Sequence, residues 1–535
     1  MPEQEMTPGL GAIIALLIFI VASVGLGVLA QRAVRRGEFL KGYFLGHRSL
    51  GSWALALTAT VQSGGTFMGF PSLVYSHGWV VALWIAGYMV CPMAAFGVIG
   101  KRTAQLSRRT NAITVPDLFR ERFASPAAGL TSSLLIMFLM GSMMVAQFKA
   151  GALIMKIAWP ETGLSGFSDE LTGGVDAEYY IGLGLFAATV VGYTLVGGFL
   201  AAVWTDLFQS ILMLLGVLLL LALALPAAGG LEQATRRAVA ATGPGFAFGP
   251  GYAADGRQFL PLTLAFSYFL IWPFANFASP AGVLRMMACR DTVTIRRSVV
   301  LLSVYNFLIY LPLVAICVCA RAVMPGLRVT DEVIPRMAML TTRGLWGGSL
   351  WAGLILAAPF GAVMSTVSSY LVLIASGLVR DVYQRFLRPG ASEQEVRWLS
   401  YVLMACVGVV AVAANIRPVA YLQAIVVFSG TSAAATFLVP LIMAAYWRRA
   451  TAVGILAAML AGAGTMLSLF AAGWCLGWQG YDPMIGQATR FRPYFLFGFE
   501  PIIWGLCASL IAGVTVSLCT RPPDPALIRR LFDSA

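Results

Sequence analysis

Ala362, Ser365 and Thr366 stand at i, i+3 and i+4 in the apolar run APFGAVMSTVSSY, so on a helix they share one face. The carbonyl of the first and the hydroxyls of the other two would offer three hard oxygens without a formal charge. Small hard cations take oxygen ligands, and a sodium ion takes about five or six of them. Hydroxyls in helices also bond back to their own backbone, and spacing alone leaves both readings open. Two further stretches could supply the rest of a site. In LTATVQSGGTFMGFP, residues 57–71, Gly64 and Gly65 lie between Ser63 and Thr66, where a helix can unwind and bare its carbonyls. In WPFANFASPAG, residues 272–282, Pro273 and Pro280 each lack an N–H, and Trp272 and Asn276 lie one helical turn apart. An aromatic platform beside an amide suits a small polar organic solute.

Two charged residues join this set. Asp206, in the tripeptide WTD, can cap the start of a helix. Lys149 lies inside the apolar run GSMMVAQFKAGALIM, and an ionisable group at membrane depth is a functional candidate. Facing a central cavity, it would draw an anionic solute; reaching toward the nearby interface, it would only anchor its helix. Other chemistries lack the residues. His47 and His77 are the only histidines, and the eight cysteines include no C-x-x-C pair, so they read as packing residues. An intramembrane enzyme would need a cluster of His, Asp or Cys within the apolar runs. The sequence shows none, and no catalysis is expected.

The elements that must position these residues are helices in lipid. The chain is 59% hydrophobic and 11% charged, with a mean hydropathy of +0.82, which excludes an ordinary soluble domain. Thirteen apolar runs have roughly the 20 residues a helix needs to cross a bilayer. They predict an all-α membrane protein forming one domain over residues 1–535. Its first helix falls at 10–30, two groups of helices at 50–226 and 258–446, and C-terminal helices at 452–519. Irregular backbone at membrane depth survives only where protein buries it or water reaches it. A pair of interrupted spans, one in each group, therefore points to a transporter's midplane binding site.

Orientation follows from the basic residues. Loops at 32–48, 101–122, 285–297, 380–397, 448–449 and 521–530 hold 24 of the 36 Lys and Arg residues. The positive-inside rule makes that face cytoplasmic. The segment at 158–178 carries Glu161, Asp169, Glu170, Asp176 and Glu178 and no basic residue. An odd number of spans then puts the N-terminus outside and the C-terminus inside. The net charge of +13 is thus a topology signal, since no basic surface interleaved with aromatics exists to hold nucleic acid. The acidic MPEQEM start lacks the positive region of a cleaved signal peptide, and the absence of an N-x-S/T sequon fits a bacterial inner membrane.

The run YFLGHRSLGSWALALTA, residues 43–59, resembles the sodium:solute symporter family. So do RRTNAITVPDLFRERF (108–123), YTLVGGFLAAVWTD (193–206) and AVMST (362–366), in the family's order. AVMPGLRVTDEVIP, DVYQRF and YWRRATAVG look most like sodium/pantothenate symporters, with sodium/proline symporters close behind. The resemblance implies a five-plus-five inverted-repeat core of the leucine-transporter type, with spans 2–6 and 7–11 as repeats. It implies co-transport of sodium with a small organic solute, such as the carboxylate pantothenate, or alternatively proline or a monocarboxylate; a solute-sensing role on the same fold is a further alternative. Aligned on the shared GFP, the family's sodium ligands fall on Ala59, Gln62, Ala362, Ser365 and Thr366. Ser63, Thr66, Trp272 and Asn276 match solute-lining positions, and Asp206 matches a carboxylate on the sodium exit route. Val61 stands where proline symporters carry an acidic residue, and Lys149 where an apolar one is expected.

The charge asymmetry predicts a labelling experiment. Single cysteines at Ser165 and Thr110, in a background without reactive native cysteines, should differ toward an impermeant thiol reagent in right-side-out vesicles. Residue 165 is expected to react and residue 110 to be protected; the reverse pattern overturns the orientation.

Overall fold

The computed structural model describes residues 10–34, 39–59, 63–159, 177–248, 261–327, 329–417, 422–476, 480–482, 487–489 and 491–533, and most of them are helical. The helices used below are α1 (Leu10–Val34), α2 (Ser52–Ala59), α3 (Phe70–His77), α4 (Ala82–Pro92), α5 (Lys101–Thr110) and α6 (Val115–Phe123). They continue as α7 (Pro126–Ala158), α8 (Ala177–Ala228), α9 (Leu262–Phe277), α10 (Pro280–Met287), α11 (Thr292–Val323) and α12 (Val333–Thr342). The last are α13 (Gly348–Ser376), α14 (Glu393–Ala414), α15 (Leu422–Tyr446), α16 (Ala452–Cys475) and α17 (Pro501–Cys519). A small antiparallel pair, Gly480–Asp482 with Gln487–Thr489, lies between the last two.

Among the described residues, eleven helical runs are long and apolar enough to cross a membrane, where the sequence suggested thirteen. The difference lies in two long runs of 46 and 52 residues, Gly65–Thr110 and Ala177–Ala228, each joining stretches read separately from the sequence. At about 1.5 Å per residue, a straight helix of the latter length would far exceed a bilayer core of about 30 Å. It is not straight: Gly198 breaks it with φ 57° and ψ −142°. The other run turns at Gly78, where φ is 72°.

Which helices sit centrally is decided by packing, because nearly all are apolar. The most apolar stretches of α13 and α15 are 89% buried inside the protein, against 28% for α14 and α17. Helix α13 is wedged among α1, α7 and α8, and α15 lies against α7, α9, α16 and α17. Both interrupted segments face this centre. The first consists of α2, then after residues 60–62 a π-helical turn, Gly65–Gly69, leading into α3. Such π turns occur mostly inside α-helices, frequently at functional sites. The second separates α9 from α10; the Ser279 hydroxyl caps α10 by accepting from the Gly282 N–H at 3.4 Å, and Pro280 sits in the first turn, where its missing N–H costs nothing.

The basic loops gather at one end of the bundle. Arg48 donates to the carbonyls of Ser107 and Ala112 at 3.1 and 2.9 Å, and Arg108 to that of Cys289 at 2.6 Å. Asp117 of α6 pairs with Arg380 and Arg385 at 3.3 and 3.0 Å. Arg122 donates to the carbonyls of Ala444 and Trp447, both at 3.1 Å. Arg448 pairs with Asp533 at 2.6 Å, which docks the C-terminal segment on the same end. At the other end, Trp79 donates to Thr235 at 3.2 Å and Tyr180 to the Ile416 carbonyl at 2.9 Å. Most of the acidic 158–178 segment lies outside the described residues.

Gly198 is a position where only glycine fits. A Cβ there would come within 2.7 Å of the Tyr43 carbonyl oxygen and 2.6 Å of its ring, in a backbone region nearly closed to other residues. Gly198→Ala should lower the thermal unfolding temperature in detergent by several degrees, or abolish folded yield, while Gly192→Ala, where a Cβ meets open space, should change neither. Equal behaviour of the two variants would remove the steric argument.

Candidate functional site

Where the two interrupted segments meet, a cavity of about 60 Å³ is lined by Ser63, Tyr88, Met140, Met143, Trp272, Ala275, Asn276, Ser279, Tyr370, Ser429, Gly430 and Ala433. Its elements are the first break, α4, α7, α9, α13 and α15. The volume has room for no more than a few waters, so a solute of amino-acid size requires the walls to move. Tyr88, Trp272 and Tyr370 give those walls their aromatic part, backed by further rings: Tyr88 stacks on Trp272 at 5.3 Å and lies 4.3 Å from Tyr310, and Trp84 lies 5.0 Å from Trp272. The lining holds no charged side chain. Its polar groups are hydroxyls, an amide and the Trp272 indole, and the indole N–H and the Ser429 hydroxyl are buried without a hydrogen-bond partner. Buried unpaired donors cost about 1–3 kcal/mol each, which a solute with oxygen acceptors would offset.

Of the expected solute residues, Ser63, Trp272 and Asn276 line this cavity. Asn276 also donates to the Trp272 carbonyl at 3.1 Å, bonding back along its own helix. Thr66 lies behind the lining, its hydroxyl 3.2 Å from that of Tyr310. Lys149 is 8% exposed, so it is no surface anchor, and it is absent from the lining. Its ammonium instead acts on Asp331, in the loop between α11 and α12. Asp331 also accepts the Leu422 N–H at the start of α15. Burial pushes the Asp331 carboxyl up to about 6; Lys149 opposes that shift and Glu332 adds to it. The same loop touches the first interrupted segment through the Ser72 and Thr330 hydroxyls.

The oxygen cluster forms as spacing predicts. Ser365 and Thr366 donate to the Ala362 carbonyl at 3.0 and 3.1 Å, and all three residues are buried on α13. Back-bonding and cation binding are compatible here, because a hydroxyl that spends its proton on its own helix keeps two lone pairs for an ion. Gly64 lies directly against this helix: a Cβ there would meet Val363 at 3.3 Å. Ala59 is the last residue of α2, and Gln62 lies outside the described residues.

Asp206 does not cap a helix start, as its position suggested. It lies within α8, 1% exposed, and pairs with Arg285 of α10 at 2.5 Å. Arg285 also donates to the Ser369 hydroxyl on α13 at 2.6 Å. The count of basic residues placed Arg285 in a loop; it is buried at 2% exposure, and its charge is matched by Asp206. A lone arginine in the apolar PAGVLRMM run was the available signal. Sequence reasoning also missed Gln147, which accepts the Gly64 N–H at 2.8 Å, and Gln423, whose buried amide presses on Gly65 and Gly69. Both are lone amides in otherwise apolar runs.

Paired broken helices around an internal cavity, with an uncharged oxygen cluster alongside, fit a secondary transporter of the inverted-repeat class. The sodium:solute symporter family matches residues 43–462, and the chain belongs to that family. Its members are transporters and not enzymes. A sodium/pantothenate symporter of Haemophilus influenzae is 31% identical over 468 residues, covering 86% of this chain and 90% of that protein. A sodium/proline symporter of Escherichia coli is 25% identical, with 98% and 96% covered. Among solved structures, a substrate-bound, outward-open sodium-coupled sialic acid symporter superposes with a TM-score of 0.69 at 19% identity, covering 96% of this chain and 99% of that one. The fold is therefore the five-plus-five leucine-transporter type.

Breaking a buried ion pair strands the remaining charge, at a cost of about 3–5 kcal/mol. Asp206→Asn and Arg285→Gln should each lower the apparent unfolding temperature, and the double variant should lose clearly less than the two losses added. Additive losses in thermal unfolding would show that the two side chains act independently.

Proposed function

We propose that this protein is a sodium-coupled symporter that imports a small organic solute bearing a carboxylate, pantothenate being the first candidate. The observation that carries this reading is the cluster of Ala362, Ser365 and Thr366 oxygens on α13, the helix whose Val363 lies against Gly64 of the first break, next to Ser63 of the cavity lining. Sodium would take those three oxygens and the carbonyls of Ala59 and Gln62, joining the first repeat to the second. Ser63, Thr66, Trp272 and Asn276 then form the solute pocket and its backing. The lining is neutral, so the positive charge that favours an anionic solute comes first from sodium; Lys149, on α7 six residues beyond Met143 of the lining, adds to it where the solute draws it from Asp331. Asp206 receives the ion on its way out once Arg285 has moved aside.

The energetics suit accumulation. Each net charge crossing 100 mV contributes about 2.3 kcal/mol, roughly fiftyfold in solute gradient, so voltage drives uptake of a zwitterion with one sodium, or of an anionic carboxylate with two. On this reading the arginine-rich end faces the cytoplasm of a bacterial cell, with the N-terminus outside and the C-terminus inside. Proline or a monocarboxylate is the alternative cargo, supported by the similarity to proline symporters.

Uptake into proteoliposomes of radiolabelled pantothenate, proline, other amino acids and short monocarboxylates, with and without a sodium gradient, tests this directly. Sodium-dependent uptake of one carboxylate is expected. Thr366→Ala should raise the sodium concentration for half-maximal uptake at least tenfold, and Trp272→Ala should weaken solute affinity more than sodium affinity. Uptake indifferent to sodium, or an unchanged sodium requirement in Thr366→Ala, would overturn the assignment.

A further inference from the structure

We propose that Gln147, on α7, is the positioning residue that keeps the first interrupted helix unwound. The backbone donors at the break lead to it. In a continuous helix, the N–H groups of residues 64, 65 and 66 would each bond to a carbonyl four residues back. Among the described residues each has another acceptor. Gly64 donates to the Gln147 side-chain oxygen at 2.8 Å, Gly65 to the Ser63 hydroxyl at 3.1 Å, and Thr66 to the Ser63 carbonyl at 2.9 Å. The last two acceptors belong to the break itself. Gln147 is the acceptor brought from another helix.

Its surroundings fix it in that role. Gln147 is 0% exposed, so water cannot replace it. Gly64 is wedged between α7 and α13: a Cβ on it would meet the Ala150 methyl at 2.9 Å, the Gln147 oxygen at 3.0 Å and Val363 at 3.3 Å. Val363 follows Ala362 of the oxygen cluster. The Gln147 amide therefore pins the break beside that cluster and spends a donor that would otherwise rewind the helix. A rewound helix would return its donors to its own carbonyls and withdraw them from an ion. This consequence rests on the sodium reading above; the clamp itself rests on the hydrogen bond alone.

Three forms of the purified protein test it: wild type, Gln147→Met, which keeps length and loses the acceptor, and Gln147→Glu, which keeps an acceptor oxygen. Hydrogen–deuterium exchange over peptides spanning residues 57–71 reads the clamp without sodium. Exchange should slow severalfold or more in Gln147→Met, as the freed donor returns to a helical carbonyl, and stay near wild type in Gln147→Glu. Sodium-induced thermal stabilisation reads the consequence: the half-saturating sodium concentration should rise about tenfold in Gln147→Met, and less than threefold in Gln147→Glu. Unchanged or faster exchange in Gln147→Met, or an equal change in both variants, overturns the clamp. If exchange responds as expected while sodium stabilises none of the three proteins, the clamp stands and the sodium reading fails.

Discussion

Lipid offers no hydrogen bonds, so every backbone donor in the bundle needs a partner inside the protein. At the first break that requirement is met locally by Ser63 and across a helix interface by Gln147. Much of the centre follows from it. Gly64 must be glycine because α7 and α13 close on it from two sides. Helix α13 must be small-residue-rich and almost wholly buried to lie against the break while presenting Ala362, Ser365 and Thr366. The second break solves the same problem more cheaply, with a serine cap and a proline that has no donor to satisfy.

Polar contacts tie the moving elements at both ends of the cavity. Toward the arginine-rich end, Arg285 joins α10 to Asp206 on α8 and Ser369 on α13. Toward the other, the Thr330–Glu332 turn joins α3 through Ser72 and α15 through the Leu422 N–H, with Lys149 of α7 acting on Asp331. Between them the cavity wall is uncharged and partly aromatic. On the proposed reading, an alternating-access cycle would open either set of contacts while the other holds.

How far the sequence could be read depends on whether a feature is periodic or relational. The Ala362, Ser365, Thr366 face was legible because helical spacing alone puts the three together. The second break was legible from Pro280, which opens α10, whereas α9 runs on through Pro273. Family resemblance supplied the fold, and Trp272, Asn276 and Ser63 do line one cavity. What escaped was pairing across helices. Arg285 read as one more loop arginine, since nothing in its neighbourhood announces a carboxylate 79 residues away on α8. Lys149 read as solute-facing or interfacial, while its electrostatic partner sits in a loop far along the chain. The span count differed because two pairs of apolar stretches run on through turns at Gly78 and Gly198 with hardly any polar loop between them.

The Asp206–Arg285 pair has an electrical side. While the two stay together, α10 and α8 can shift as one and carry no net charge through the membrane field. Once they separate, an arginine and an aspartate move independently, and each displaces charge in proportion to the fraction of the field it crosses. Opening this end of the molecule is then itself a capacitive event. It would show as a transient current, distinct from the steady current of transported ions and present even when no cargo completes the passage.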